Sequence, residues 1–230
     1  MHKFINLMRI TIKKIAKAIS LFLFPPLCIG CRHYSEKRNQ LCTNCKNSLE
    51  PVVSHELSIT NTRSATVYAC ARYSGIIQKL IRLKNYKQPQ GSYVLGTMMA
   101  EQFHTIMHDV DYIIPVPLHW TRRLWRGFNQ AEIIAHTCSL QWHIPISCPL
   151  VRIKKTPQLT KLSKKDRAVV LSNCFALTSK ALREKKCYKN TTVAIVDDLC
   201  TSGATVREMS ILLYSLGVKE VRVIVAARTC

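Results

Sequence analysis

The stretch VAIVDDLCTSGAT, Val193–Thr205, decides how the rest of the chain is read. Val193 to Val196 form an apolar, β-branched run with the length of a buried strand. Two carboxylates follow, Asp197 and Asp198, then the hydroxyls of Thr201 and Ser202, then Gly203, Ala204 and Thr205. From Ala204 the pattern turns helical: Val206, Met209, Leu213 and Leu216 recur at helical spacing, and Gly217 supplies the stop. The order strand, polar turn, helix makes Asp197–Gly203 a loop at the C-terminal end of a strand, where open α/β sheets bind ligands. A helix N-terminus offers free N–H groups to a phosphate, and Gly203 lets that phosphate approach. The two carboxylates would repel phosphate; they suit ribose hydroxyls or a hydrated magnesium ion. The loop therefore calls for a sugar phosphate. Two nucleotide folds are excluded: GSYVLGTMM, the nearest P-loop match, has Thr97 where lysine is required, and G-x-G-x-x-G is absent.

Working outward, YIIPVP (Tyr112–Pro117) and VRVIVAA (Val221–Ala227) read as further buried strands, and NQAEIIAHTCSLQ (Asn129–Gln141) as a helix. Strands alternating with helices predict an α/β fold with a mainly parallel sheet and helices on both faces. The segment PVPLHWTRRLWRGFNQ also follows a strand and precedes a helix. It sets Arg122, Arg123 and Arg126 beside Gly127 as a pyrophosphate loop, with Arg126 the favoured contact and a cis bond at Pro115 or Pro117 a further expectation. The segment RIKKTPQLTKLSKKDR, with Arg152, Lys154 and Lys155, reads as a flexible loop; lid and DNA groove both stay open.

Upstream, CIGCRHYSEKRNQLCTNC holds Cys28, Cys31, Cys42 and Cys45 as two C-x-x-C pairs. Such pairs aim thiolates at one tetrahedral ion, and a closed four-cysteine set is structural zinc, with no open position for catalysis. His33 is a bystander, and a redox pair is disfavoured for want of a βαβ context. An odd total of 11 cysteines with two metal-type pairs argues against a disulfide framework and points to a reducing, cytoplasmic compartment; the remaining seven show no ligand spacing and read as small buried or incidental residues. The expected organisation is residues 1–27 as an amphipathic basic helix, 28–60 as zinc module and polar connection, and 61–230 as the α/β domain.

The net charge of +21 predicts a polyanionic partner. Trp120, Trp125 and Phe128 interleave with arginines, as in a single-strand stacking platform, although Trp125 and Phe128 packing the loop onto the sheet is the plainer expectation. At the N-terminus, Phe4, Met8, Ile12, Ile15, Ile19 and Phe22 share one helical face. The run ends at Pro25–Pro26, too short to span a bilayer. Packing on the protein itself or a partner, and contact with the inner-membrane surface, both remain open for it.

The motif VAIVDDLCTSGAT resembles the 5-phosphoribosyl-1-pyrophosphate (PRPP) signature of type I phosphoribosyltransferases, with Cys200 and Ser202 as departures. More narrowly, IIPVPLHWTRRLWRGFNQAEIIA is similar to the corresponding segment of the ComF family, proteins associated with bacterial competence and DNA uptake. So is the series Arg152, Lys154, Thr156, Gln158, Leu162, Arg167, Asn173 and Phe175, in which Gln158 stands one residue early. The resemblance implies a phosphoribosyltransferase-like sheet behind a zinc module. It implies PRPP bound with magnesium through Asp197, Asp198, Thr201, Ser202, Gly203, Ala204 and Thr205. It also implies single-stranded DNA and DNA-uptake proteins as partners. The expected function is PRPP binding in the uptake or handling of single-stranded DNA during natural transformation. The alternative is an active phosphoribosyltransferase releasing pyrophosphate to a nitrogen nucleophile. The sequence shows no nucleobase-recognising segment, so turnover stays open.

Overall fold

A computed structural model describes residues 2–35, 40–154 and 173–229. The chain divides into two units, Met1–Ser48 and Leu49–Cys230. The first opens with helix α1 (His2–Leu23), stopped by Pro25–Pro26, whose rings cannot continue a helix. Leu27 then bridges Tyr34 in antiparallel fashion around the first cysteine pair, and a short helix, α2 (Thr43–Asn47), carries the end of the second.

The second unit is built on a five-stranded sheet. Its strands are β1 (His55–Ser58), β2 (Ser64–Arg72), β3 (Tyr112–Pro115), β6 (Thr192–Cys200) and β7 (Glu220–Arg228), in the order β1-β2-β7-β6-β3. Only the β1–β2 pair is antiparallel; β2, β7, β6 and β3 run parallel, so their C-terminal ends open on one edge. β6 sits between β3 and β7 with Ile195 opposite both Ile114 and Val223. Covered on both faces, it is apolar from Val193 to Val196 without alternation. One face, through Val193, Ile195, Val223 and Val225, meets Val206, Met209 and Leu213 of helix α8 (Ala204–Ser215). The other face receives α4 (Gln90–Phe103) and α6 (Gln130–Trp142). The expected fold class, α/β with a mostly parallel sheet clad on both faces, is what the chain adopts.

Several elements differ from expectation. β1 lies inside the stretch read as a polar connection; its residues alternate between half-buried and exposed, so half its side chains reach the core. The unit boundary accordingly falls after Ser48, not near residue 60. β6 continues past Val196 to Cys200, because Asp197, Leu199 and Cys200 stay in register with Val225, Ala227 and Arg228. The arginine segment is a helix, α5 (Trp120–Arg126), capped by His119, whose Nδ1 accepts the Thr121 N–H. Gly127, at φ 83°, ends that helix in the left-handed region, and open space lies where its Cβ would stand. Its positive φ serves the turn that closes the helix. No cis peptide occurs among the described residues. Arg152, expected on a flexible loop, lies in β4 (Leu150–Arg152), paired antiparallel with β5 (Phe175–Leu177). Lys155 and the family-pattern positions from Thr156 to Arg167 lie outside the described residues.

Gly96 sets how closely α4 and α6 approach. A Cβ there would stand 2.7 Å from Cβ of Thr137 on α6, and the crossing is fastened by the Trp142 indole N–H donating to the Ala100 carbonyl at 3.0 Å. Thr137 is β-branched and cannot swing clear. Gly96→Val should therefore lower unfolding stability by about 1–3 kcal/mol through overpacking. Chemical denaturation giving an unchanged midpoint would show that the helices part without cost.

Candidate functional site

The open edge of the sheet brings together Asp197, Asp198 and Lys84. Asp197 and Asp198 are the sixth and seventh residues of β6, so their side chains leave on opposite faces. Asp198 is buried, and the Lys84 ammonium donates to its Oδ2 at 2.6 Å. Lys84 belongs to a 3₁₀ turn, Leu83–Tyr86, directly after α3 (Gly75–Arg82). In the sequence it reads only as one of a basic set; nothing local distinguishes it from Lys79 or Lys87, and the pairing spans 114 positions. Asp197 turns towards the α8 face, and its Oδ1 accepts the Asp198 N–H at 2.8 Å. Burial, then the adjoining Asp198 carboxylate, push the Asp197 carboxyl up to about 7 against the pull of Lys84, that amide and Arg152.

The arginines divide. Arg126 has its charge disfavoured by burial and by Arg122, and favoured by Asp198. Its Nε, like Gln130 Nε2, is buried without a hydrogen-bond partner. A donor left in that state costs about 1–3 kcal/mol, which an anionic ligand would relieve. Arg123 is taken elsewhere: its guanidinium donates to Glu132 at 2.6 Å on the surface, so it does not join the group. Arg152 lies within electrostatic reach of Arg122, Asp197 and Glu208, with its guanidinium 5.3 Å from the Phe175 ring centroid. Lys154 is exposed beside it.

The turn after β6 exposes Thr201 and half-buries Ser202, and α8 begins at Ala204 with Thr205 half-buried in its first turn. Gly203 is the N-cap, at φ 72°, and no side chain caps this helix end. Its first N–H groups thus stay available to a ligand. A Cβ at Gly203 would meet Leu57 of β1 at 2.9 Å, so a larger residue there disturbs packing before it touches a phosphate. Glu208 was missed by sequence reasoning. Its Oε1 accepts the N–H groups of Cys174 at 2.5 Å and Phe175 at 3.1 Å, tying α8 to β5. Trp125, like Trp120, stays exposed, while Phe128 is half-buried, so the packing role expected of Trp125 and Phe128 holds for neither fully.

In the first unit, the four expected cysteine sulfurs lie within 4.8 Å of one another. Cys28 and Cys45 Sγ stand 3.6 Å apart, and Cys31 and Cys42 Sγ 3.7 Å. Zinc–sulfur bonds near 2.3 Å in a tetrahedron place sulfurs about 3.8 Å apart, so the donors fit the ion. Burial alone would raise the Cys28 thiol, but backbone N–H groups of Cys31, Cys42 and Gly30 bring it down to about 6. His33 is exposed and outside the cluster.

Residues 19–57 match the double zinc ribbon domain family. Competence protein F of Haemophilus influenzae is 30% identical over 219 residues, covering 85% of this chain and 94% of that one. Competence protein ComFC of Bacillus subtilis is 25% identical over 191 residues, covering 72% and 74%. DNA utilization protein YhgH of Escherichia coli K12 is 35% identical over 121 residues, covering 52% and 50%. Among solved structures, glutamine PRPP amidotransferase from B. subtilis, complexed with ADP and GMP, aligns over 58% of this chain and 25% of its own at 18% identity and TM-score 0.39. The protein TT1426 from Thermus thermophilus aligns over 60% and 81% at 13% identity and TM-score 0.37.

Two measurements test these sites. Cys42→Ser should release zinc from the reduced protein and unfold mainly the first unit, since metal binding and local folding are coupled. Metal analysis finding no zinc in natively purified protein would refute the assignment. At the sheet edge, the folded-state Asp197 carboxyl sits above its ordinary 3.8, so the folded chain binds more protons between those values. Stability from this group therefore falls as pH rises from about 4 through 7. Asp197→Asn keeps an acceptor for the Asp198 amide without the charge. It should be more stable than the parent by roughly 1–2 kcal/mol at pH 8, with the difference closing below about pH 4. Equal melting curves at both pH values would show that the carboxylate bears no such penalty.

Proposed function

The chain belongs to the ComF family, and from that premise we propose that it has a competence-related role, binding PRPP at the open edge of the sheet and handling single-stranded DNA during natural transformation. The observation that carries this reading is the pairing of unlike chemistries at one edge. Two carboxylates stand at the end of β6, with an uncapped helix N-terminus just beyond them. Arg126 and Gln130, across from them, keep buried donors without partners.

In this reading Asp197 or Asp198 accepts hydrogen bonds from ribose hydroxyls. Thr201, Ser202, Thr205 and the backbone from Gly203 to Ala204 hold the 5-phosphate. Arg122 and Arg126 meet the pyrophosphate, where guanidinium groups give paired charge-assisted bonds. Lys84 holds the Asp198 side chain in place until a ligand arrives. Because alternation along β6 parts the two carboxylates, they do not both ligate one ion directly. Asp197 or Asp198 would be the residue to face a magnesium ion, which would supply charge neutralisation to the pyrophosphate.

The DNA half of the reading rests on the +21 charge and on exposed Trp120 and Trp125 flanking the arginines of α5. Bases stack on such rings without regard to sequence. DNA-uptake proteins are the partners this role requires.

Calorimetric titration with PRPP and magnesium is the first test. Parent protein should bind, and Asp197→Asn with Asp198→Asn should lose about tenfold or more in affinity, as expected when each lost charged hydrogen bond counts for 1.5–3 kcal/mol. Unchanged affinity would leave the motif a structural one. In parallel, affinity for single-stranded DNA should fall steeply with salt as counterions are released. Undetectable binding at low salt would remove the DNA role. One observation favours turnover as a second reading: a carboxyl held up to about 7, as Asp197 is, can accept a proton from a nitrogen nucleophile. Pyrophosphate release on mixing PRPP with candidate nucleophiles would decide for it.

A further inference from the structure

Helix α1 presents chemistry that neither PRPP nor DNA uses. Ile12, Ile15 and Ile19 are 56%, 55% and 54% exposed, and Phe22 is 86% exposed. The spacing puts all four on one face, and Leu23 and Phe24, also exposed, extend the apolar end. The same spacing carries the stripe back through Phe4 and Met8 in sequence. The helix contains five basic residues, Lys3, Arg9, Lys13, Lys14 and Lys17, and no acidic one. By helical spacing Lys13 and Lys14 project away from the isoleucine stripe, and Lys17 continues the basic set in sequence.

We infer that α1 is a docking helix for an anionic phospholipid surface, lying in the plane of the interface with its isoleucine stripe among the acyl chains. Three considerations select that occupant. A nucleic acid would answer the lysines and leave the isoleucine stripe in water. A second copy of the helix would cover the stripe but bring five cations against five with no carboxylate between them. An anionic bilayer surface satisfies both faces at once, hydrocarbon below and phosphate headgroups around the lysines. Lying in the interface also suits the helix's length, since no helix among the described residues is long and apolar enough to cross a membrane. Pro25 and Pro26 follow two residues after Leu23, so the stripe stops where the cysteine pairs begin.

The experiment uses the full, zinc-loaded chain and vesicles of phosphatidylcholine with and without phosphatidylglycerol. Because the rest of the protein is also basic, the decisive variant removes apolar surface and leaves charge alone: Ile12→Ser, Ile15→Ser and Ile19→Ser together. These side chains are exposed, so zinc content and the melting transition should not change. Co-sedimentation with phosphatidylglycerol vesicles should drop roughly tenfold or more, by the apolar area no longer withdrawn from water. Phe22→Ser with Phe24→Ser, at the other end of the stripe, should weaken it in the same direction. Equal partitioning of parent and both variants would overturn the inference and give the vesicle contact to the general basic surface. Loss of a dimer in the serine variants, with partitioning unchanged, would overturn it in favour of a second copy. Failure of the parent to bind phosphatidylglycerol vesicles would end it outright.

Discussion

The parallel pairing of β6 with β3 on one side and β7 on the other is the constraint on which the second unit depends. It buries the strand on both faces and brings four C-terminal ends to one edge. It also extends beyond the apolar run, carrying two aspartates into the sheet. Neighbouring carboxylates in a strand repel each other and resist burial together. The fold answers asymmetrically: Asp198 is neutralised by Lys84 at 2.6 Å, while Asp197 keeps its proton to about pH 7. One carboxylate thereby lies against an ammonium while its neighbour turns to the α8 face, and the difference comes from which face each side chain leaves by.

Legibility followed burial. β3, the Val193–Val196 half of β6 and the Val223–Ala227 part of β7 are apolar runs, and α8 repeats Val206, Met209 and Leu213 at helical spacing, so these elements and their class were readable. The four cysteines were readable because a tetrahedral ion dictates their spacing. β1 was not, since an edge strand buries half its side chains and His55–Ser58 is otherwise polar. The true end of β6 was hidden for a related reason: register with β7, not local preference, keeps Asp197 to Cys200 extended. The arginine segment read as a loop because its prolines precede, rather than interrupt, the seven residues that coil into α5.

The site was legible as a motif and not as an assembly. Asp197, Asp198, Thr201 and Gly203 are consecutive enough to be seen together. Lys84 comes to that edge from 114 positions away and carries no local mark. Conversely Arg123, adjacent in sequence to Arg122, is drawn off by Glu132, nine positions ahead on the next helix. Adjacency in a short helix separates side chains by about 100° of rotation, so a cluster of arginines in sequence is rarely a cluster in space.

Leu57 beneath Gly203 has a practical bearing on how the protein is divided. The strand that holds this leucine begins inside the zinc ribbon match, which ends at residue 57, yet it pairs with β2 and props the turn into α8. A fragment starting at residue 61 would strip the edge from the sheet and leave a gap behind the turn that carries Thr201 to Thr205. The covalent frontier of the α/β unit is therefore near Leu49. The stretch from there to Ser58 belongs mechanically to the α/β unit, whatever family its residues are counted in.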